Sequence, residues 1–132
     1  MALYPKLSVN GVWNEKTREY FQRYLKMGYK GKSWYTGYVD GQWGKMSIQG
    51  LQRCLKHHGL YNGLIDGVHG AMTNTAYNKF LRDKFPFRPD LGPIDTYIYF
   101  SFTHSKLVSA LQNGLNILAR YDTTKIPKVI HT

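Results

Sequence analysis

Residues 39–52 read VDGQWGKMSIQGLQ. Asp40-Gly41 is a turn signal, because an Asp side chain accepts nearby backbone N–H groups and Gly takes the positive φ that other residues resist. After it, Ile48, Leu51, Cys54, Leu55 and His58 fall at steps of three and four. That spacing puts them on one face of a helix. The stretch is therefore a turn that launches an amphipathic helix, and the fold follows from its recurrence.

With Asp40 as origin, the markers are Gly41, Trp43, Ser47, Leu51-Gln52 and Leu55. The same offsets from Asp66 find Gly67, His69, Thr73, Tyr77-Asn78 and Leu81, and from Asn10 they find Gly11, Trp13, Thr17, Phe21-Gln22 and Leu25. A degraded fourth copy is placed at Ile94-Asp95, where Thr96 replaces the Gly and about five extra residues precede Leu111-Gln112 and Leu115. Repeats of this kind are one supersecondary unit each, and a single unit cannot bury its own apolar stripe. The expectation is a mainly α protein, a small helical bundle built from three to four turn-plus-helix repeats. Helices are expected over about 15–27, 46–58, 72–84 and 104–120. Residues 1–85 hold three repeats, and 86–132 hold the degenerate fourth repeat and a tail packed on the same core, with the Pro-rich stretch PFRPDLGP (86–93) between them.

The chain has 132 residues, of which 42% are hydrophobic and 15% aromatic, which suits one packed domain. Its formal net charge is +10, from 18 Lys and Arg against 8 Asp and Glu. Such a chain is drawn to polyanions: nucleic acid, anionic membrane or anionic wall polymers. Cys54 is the single cysteine, so no intrachain disulfide contributes. No run of apolar residues reaches membrane-spanning length, and the opening MALYPKLSVNG lacks the apolar core of a signal peptide. The expectation is synthesis in a cytoplasm, with any outside role reached by another route.

The repeat resembles a known family. Residues 63–73, GLIDGVHGAMT, are similar to the signature of peptidoglycan-binding domains: Gly, an aliphatic-Asp-Gly turn, an aromatic-Gly pair, then a Thr opening a helix that ends in Phe-Gln or Leu-Gln. Residues 37–44, GYVDGQWG, with Leu51-Gln52, match it equally. Such repeats occur in bacteriophage endolysins and other wall hydrolases. The resemblance spans about residues 7–85, with a weaker trace over 94–118. Asn10 stands for Asp, His69 for the aromatic and Asn78 for Gln. It implies a non-catalytic targeting domain that binds the bacterial cell wall, peptidoglycan and teichoic acids included, associated with a catalytic hydrolase domain. It implies no cofactor and no metal.

The residues were weighed for chemistry independently. Each turn offers at most one carboxylate at its Asx position and no late bidentate Glu, so a calcium loop is disfavoured. Asn10, Gly11, Asp40, Gly41, Asp66, Gly67 and Asp95 are assigned as structural turn residues. Glycosidase chemistry needs two facing carboxylates, but Glu15 and Glu19 sit four apart beside Lys16, Arg18 and Arg23, as on a solvated helix face. Cys54 lies within a helix at the position of Tyr24 and Phe80, unlike an activated thiolate. The five His residues show no metal-ligand spacing. Trp13 and Trp43 are read as plugs between turn and helix.

Ligand contacts are sought where the copies differ. The connector GYKGKSWYTG (28–37) crowds Lys30, Lys32, Trp34 and Tyr35 outside the helical template, and Tyr38 follows directly. Sugar stacking and core packing are both open for its rings. Tyr97 and Tyr99, with Phe100 and Phe102, form a second candidate before the last helix. The competing readings are a basic nucleic-acid-binding protein and a structural protein-interaction module.

Overall fold

The computed structural model describes residues 6–83 and 100–121. These hold α1 (Glu15–Met27), α2 (Lys45–His57), α3 (Ala71–Asp83) and α4 (Ser105–Tyr121). Each lies within one residue of its sequence-based span. Among the described residues there is no strand, only an isolated bridge between Tyr29 and Lys32. Each helix packs on two neighbours, α1 on α2, α2 on α3, α3 on α4 and α4 back on α1, so the four helices form a closed ring.

The core repeats with the template. The position before the Gln is Phe21, Leu51, Tyr77 and Leu111, each 0% exposed. One helical turn later Leu25, Leu55, Leu81 and Leu115 are also buried. The hydroxyl position supplies Thr17, Ser47 and Thr73, with Leu107 in the last copy, all buried. Every helix thus buries the same stripe against the ring interior, which is why no copy can fold without its neighbours.

The turns behave as their sequence demands. The Oδ1 atoms of Asn10, Asp40 and Asp66 accept hydrogen bonds from the N–H two residues on, those of Val12, Gln42 and Val68. The Val68 N–H bond, with the Gln52 amide, holds the Asp66 carboxyl below its ordinary pKa. Gly41 has φ 76°, and a Cβ there would meet Glu15 Cγ at 2.6 Å. Gly67 has φ 74° and lies against Lys45 in the same way. The first residues of α1, α2 and α4 (Glu15, Lys45 and Ser105) therefore pack on the Gly of the following turn, Gly41, Gly67 and Gly11.

What joins the copies is the buried Gln of the template. Gln22 accepts from Asp40 N and Gly41 N through Oε1 and donates to Gln42 O and Ser47 Oγ through Nε2. Gln52 accepts from Gly67 N and donates to Asp66 Oδ1, Val68 O and Thr73 Oγ1. Gln112 accepts from Asn10 N and Gly11 N and donates to Asn10 Oδ1, Val12 O and Thr17 Oγ1. Each helix clamps the next turn, and the last clamps the first. The same logic extends one turn down the helix, where Lys26 Nζ donates to Gly37 O and Asn116 Nδ2 to Leu7 O.

The fourth copy corrects the sequence reading. Asn78 accepts from Phe100 N and donates to Phe100 O, so Phe100 occupies the place held elsewhere by Asn10, Asp40 and Asp66. α4 then begins five residues later, as α1, α2 and α3 do after their own turns. The copy has the standard turn-to-helix spacing, without the inserted residues expected from an origin at Asp95. Its origin is displaced because the clamp grips backbone N–H and C=O groups, which any residue supplies. Asp95 lies outside the described residues.

Gln52→Ala leaves the Gly67 amide, the Val68 carbonyl and the Thr73 hydroxyl without this buried partner. It is expected to destabilise the whole domain by about 3 kcal/mol in urea unfolding. A change near 0.5 kcal/mol, as for an ordinary surface site, would contradict the clamp.

Candidate functional site

The connector after α1 is built from the helix end outward. Gly28 caps α1 with φ 64°, and its N–H donates to Tyr24 O. Tyr29 N donates to Lys32 O and Lys32 N to Tyr29 O, both at 3.0 Å, closing a two-residue hairpin. Its central residues Lys30 (φ 50°) and Gly31 (φ 84°) are both left-handed, the geometry of a primed turn. Among the described residues, Lys30 is the one non-glycine with positive φ. A residue held in that region marks a backbone fixed by its surroundings and is a reason to look for function.

The hairpin presents Lys30 and Lys32 to solvent beside the half-exposed Tyr29. The Tyr29 ring lies 4.7 Å from the exposed His57 ring, and Lys30 Nζ is 5.4 Å from the Tyr29 centroid. Arg53 Nη1 donates to Trp34 O at 2.9 Å, which ties the last turns of α2 to the connector. Arg53, Lys56 and His57 share one helix face by their spacing, and all three are exposed. Between Glu19 and Asp66 the single carboxylate is Asp40, against seven Lys and Arg. The surface around the hairpin is therefore basic, aromatic and without a nearby acid in sequence, so its cations are available to an outside anion.

The expected ligand residues separate into two groups. Trp34 is 8% exposed and packs against Tyr24, His57 and His58. Tyr35 is 4% exposed, and its hydroxyl donates to Tyr38 O and stands 3.4 Å from Gln22 Nε2. Their ring faces are core surfaces, and this removes both from the ligand-stacking role. Lys30, Lys32 and Tyr38 remain exposed, Tyr38 at 80%. Tyr97 and Tyr99 lie outside the described residues.

Tyr29 and His57 carry no signal in the repeat pattern, whereas the buried place of Tyr35 is written in it. Tyr61 lies at the same offset before Asp66 as Tyr35 before Asp40. Its hydroxyl likewise donates to Leu64 O and stands near Gln52 Nε2. Tyr35 is thus a template residue. No repeat register could have brought Tyr29 to His57, since that contact depends on how the hairpin folds back.

A second aromatic group forms where the four turns meet. Trp13 and Trp43 are 5.3 Å apart edge to face, Phe102 lies 4.8 Å from Trp13 and 4.4 Å from His69, and Trp43 stacks on Phe21 at 5.1 Å. Each copy contributes one ring, and all four are half-buried. Trp13 and Trp43 thus pack as turn plugs. His69 is oriented by Asn74: Asn74 Nδ2 donates to Phe100 O, so its Oδ1 accepts from His69 Nε2 at 3.1 Å. That leaves Nδ1 as the buried acceptor nitrogen, with no hydrogen-bond partner among the described residues. Protonation would bury a charge there, and desolvation accordingly lowers the His69 pKa.

The enzyme candidates are placed as follows. Glu19 pairs with Lys16 at 3.8 Å on the surface of α1, and the Glu15 side chain lies over Gly41. Cys54 is fully buried beside Tyr24, and burial pushes its thiol pKa up, the opposite of an activated nucleophile. Among the described residues no three His, Cys, Asp or Glu side chains gather as a metal site, and no helix is long and apolar enough to cross a membrane. No family model, curated protein or solved structure matches the chain.

Because the folded pKa of His69 is lowered, its neutral form stabilises the fold above the ordinary value of 6.5, and that contribution is lost as pH falls below it. Unfolding free energy should drop between about pH 7.5 and pH 5, and His69→Phe should flatten that drop. Equal pH slopes for the two proteins would show that His69 is not the group responsible.

Proposed function

We propose that this chain is a non-catalytic binder of the bacterial cell wall, a targeting domain that holds a phage endolysin or similar hydrolase on peptidoglycan and its anionic polymers. The observation that carries the reading is the hairpin surface: Lys30, Lys32 and Arg53 around the exposed Tyr29–His57 ring pair. Cations attract the phosphates or carboxylates of wall polymers, and aromatic faces suit sugar C–H surfaces. The likeness of the Asp-Gly turns to peptidoglycan-binding domains supports the same reading.

The geometry favours this form of binding for a physical reason. A two-residue hairpin on a helix cap loses little conformational freedom when a ligand arrives, so charge and ring are pre-positioned. Exposed charges of this kind act through long-range attraction that salt screens. Binding should therefore weaken with ionic strength, with the aromatic part persisting.

The test is co-sedimentation with washed bacterial sacculi, with and without teichoic acid, beside a gel shift with duplex DNA. The chain should pellet with walls. A Lys30→Gly, Lys32→Ala double variant should lose roughly tenfold in affinity at unchanged Tm, since Gly accepts the left-handed turn. A chain that stays in the supernatant with every wall preparation and shifts DNA would overturn the reading in favour of nucleic acid.

A further inference from the structure

A second surface feature belongs to the first copy. A cleft of about 180 Å³ opens between residues 6–10 and α1, lined by Lys6, Leu7, Ser8, Asn10, Asn14, Lys16 and Tyr20. Its outer wall is fixed. Leu7 N donates to Asn116 Oδ1 at 2.7 Å, Asn116 Nδ2 donates back to Leu7 O at 2.8 Å, and Gln112 holds Asn10 and Gly11.

Beside this cleft the first copy departs from the template in sequence. In the second and third copies the residue five before the Asx position is Tyr35 or Tyr61, whose buried ring covers Gly37 or Gly63. In the first copy that residue is Pro5. The helix position that is Gly50, Ala76 and Ala110 elsewhere is Tyr20 here. Tyr20 is buried, and with Leu7 it supplies apolar wall to the cleft beside the polar residues.

The polar residues of the lining are mostly donors. Asn10 Oδ1 is engaged by Val12 N and Gln112 Nε2, and Asn14 Oδ1 by Thr17 N and Thr17 Oγ1. Each Nδ2 is thereby left to donate. Lys6 has no ion-pair partner among the described residues, and Lys16 has the 3.8 Å pair with Glu19 while 72% exposed, which screens it only weakly. Two Lys, two Asn and Ser8 among the lining residues suit a ligand rich in acceptors and negative charge, and Leu7 and Tyr20 suit its C–H surface.

We propose that this cleft binds one oxyanion-bearing polyol unit, a carboxylate or phosphate on a sugar or glycerol. The volume is below the roughly 300–1,000 Å³ typical of pockets for drug-sized ligands, so it takes a single unit of a polymer. Its identity as a wall component rests on the wall-binding reading; its preference for an oxyanion does not.

The experiment is an NMR titration of the ¹⁵N-labelled full chain with glycerol 3-phosphate, with N-acetylmuramic acid, and with neutral N-acetylglucosamine. Saturable shifts at the Ser8 and Asn10 backbone amides and the Asn10 and Asn14 side-chain amides are expected with the charged probes. The neutral sugar should give none. A Lys6→Ala, Lys16→Ala double variant should weaken binding by about fivefold or more, whereas the Lys30→Gly, Lys32→Ala variant should leave it unchanged. Response to one charged probe alone supports the site and identifies its source as teichoic-type phosphate or peptidoglycan carboxylate. Unsaturable shifts, equal shifts with the neutral sugar, or an unaltered titration in the Lys6/Lys16 variant would overturn the proposal. A chain that sediments with sacculi but fails this titration loses the cleft alone. One that titrates but does not sediment keeps an oxyanion site and loses the wall reading.

Discussion

A buried glutamine amide reaching across to the next turn is the interaction on which this structure depends. Gln22, Gln52 and Gln112 are each 0% exposed, and each presents acceptor and donor to a backbone turn that would otherwise carry unsatisfied groups into the interior. Buried polar groups are costly alone and stabilising when fully matched. The match also sets register, because only one placement of the turn satisfies both ends of the amide. Asn78, one methylene shorter, performs the same task on Phe100 and so admits a turn with neither Asp nor Gly.

Closure of the ring gives this clamp its wider effect. Gln112 binds Asn10 across 102 positions of sequence, so the last helix finishes the burial of the first turn. An open array of repeats would leave end faces uncovered, whereas here each helix stripe has two neighbours. A closed scaffold holds its surface loops with little freedom, and that rigidity is useful to a binding protein. The turns and helix stripes are alike in all copies and serve the fold. The functional candidates sit where copies differ: the hairpin at Tyr29–Lys32 and the cleft between residues 6–10 and α1.

Much of the fold was legible in the sequence because the repeat is written in side chains with fixed offsets. Asn10, Asp40 and Asp66 each precede a Gly, and each helix follows at the same distance. The fourth copy was misregistered because its turn has no Asx-Gly pair, and the backbone groups that replace it leave no mark in sequence. The Gln was visible as a recurring letter, yet its partner lies in the following copy, beyond any local pattern. The site was legible in part. Lys30 and Lys32 stood out by charge and lie on the surface, while Trp34 and Tyr35 have the same composition signature but are buried. Tyr61 held the clue that Tyr35 belongs to the template. Tyr29 and His57 come together only through the tight hairpin, and the cleft only through the packing of residues 6–10 beside α1.

Native-state hydrogen exchange at the Gly11, Gly41 and Gly67 amides tests the clamped ring most directly. These three N–H groups lie in separate turns, and each donates to a glutamine side chain of the preceding helix around the ring. If the clamps hold one closed unit, all three should exchange only through global unfolding, with the same free energy as core helix amides and the same denaturant dependence. Exchange of Gly11 at a much lower free energy than Gly41 and Gly67 would show that the ring is open between the last helix and the first turn, and would contradict the account.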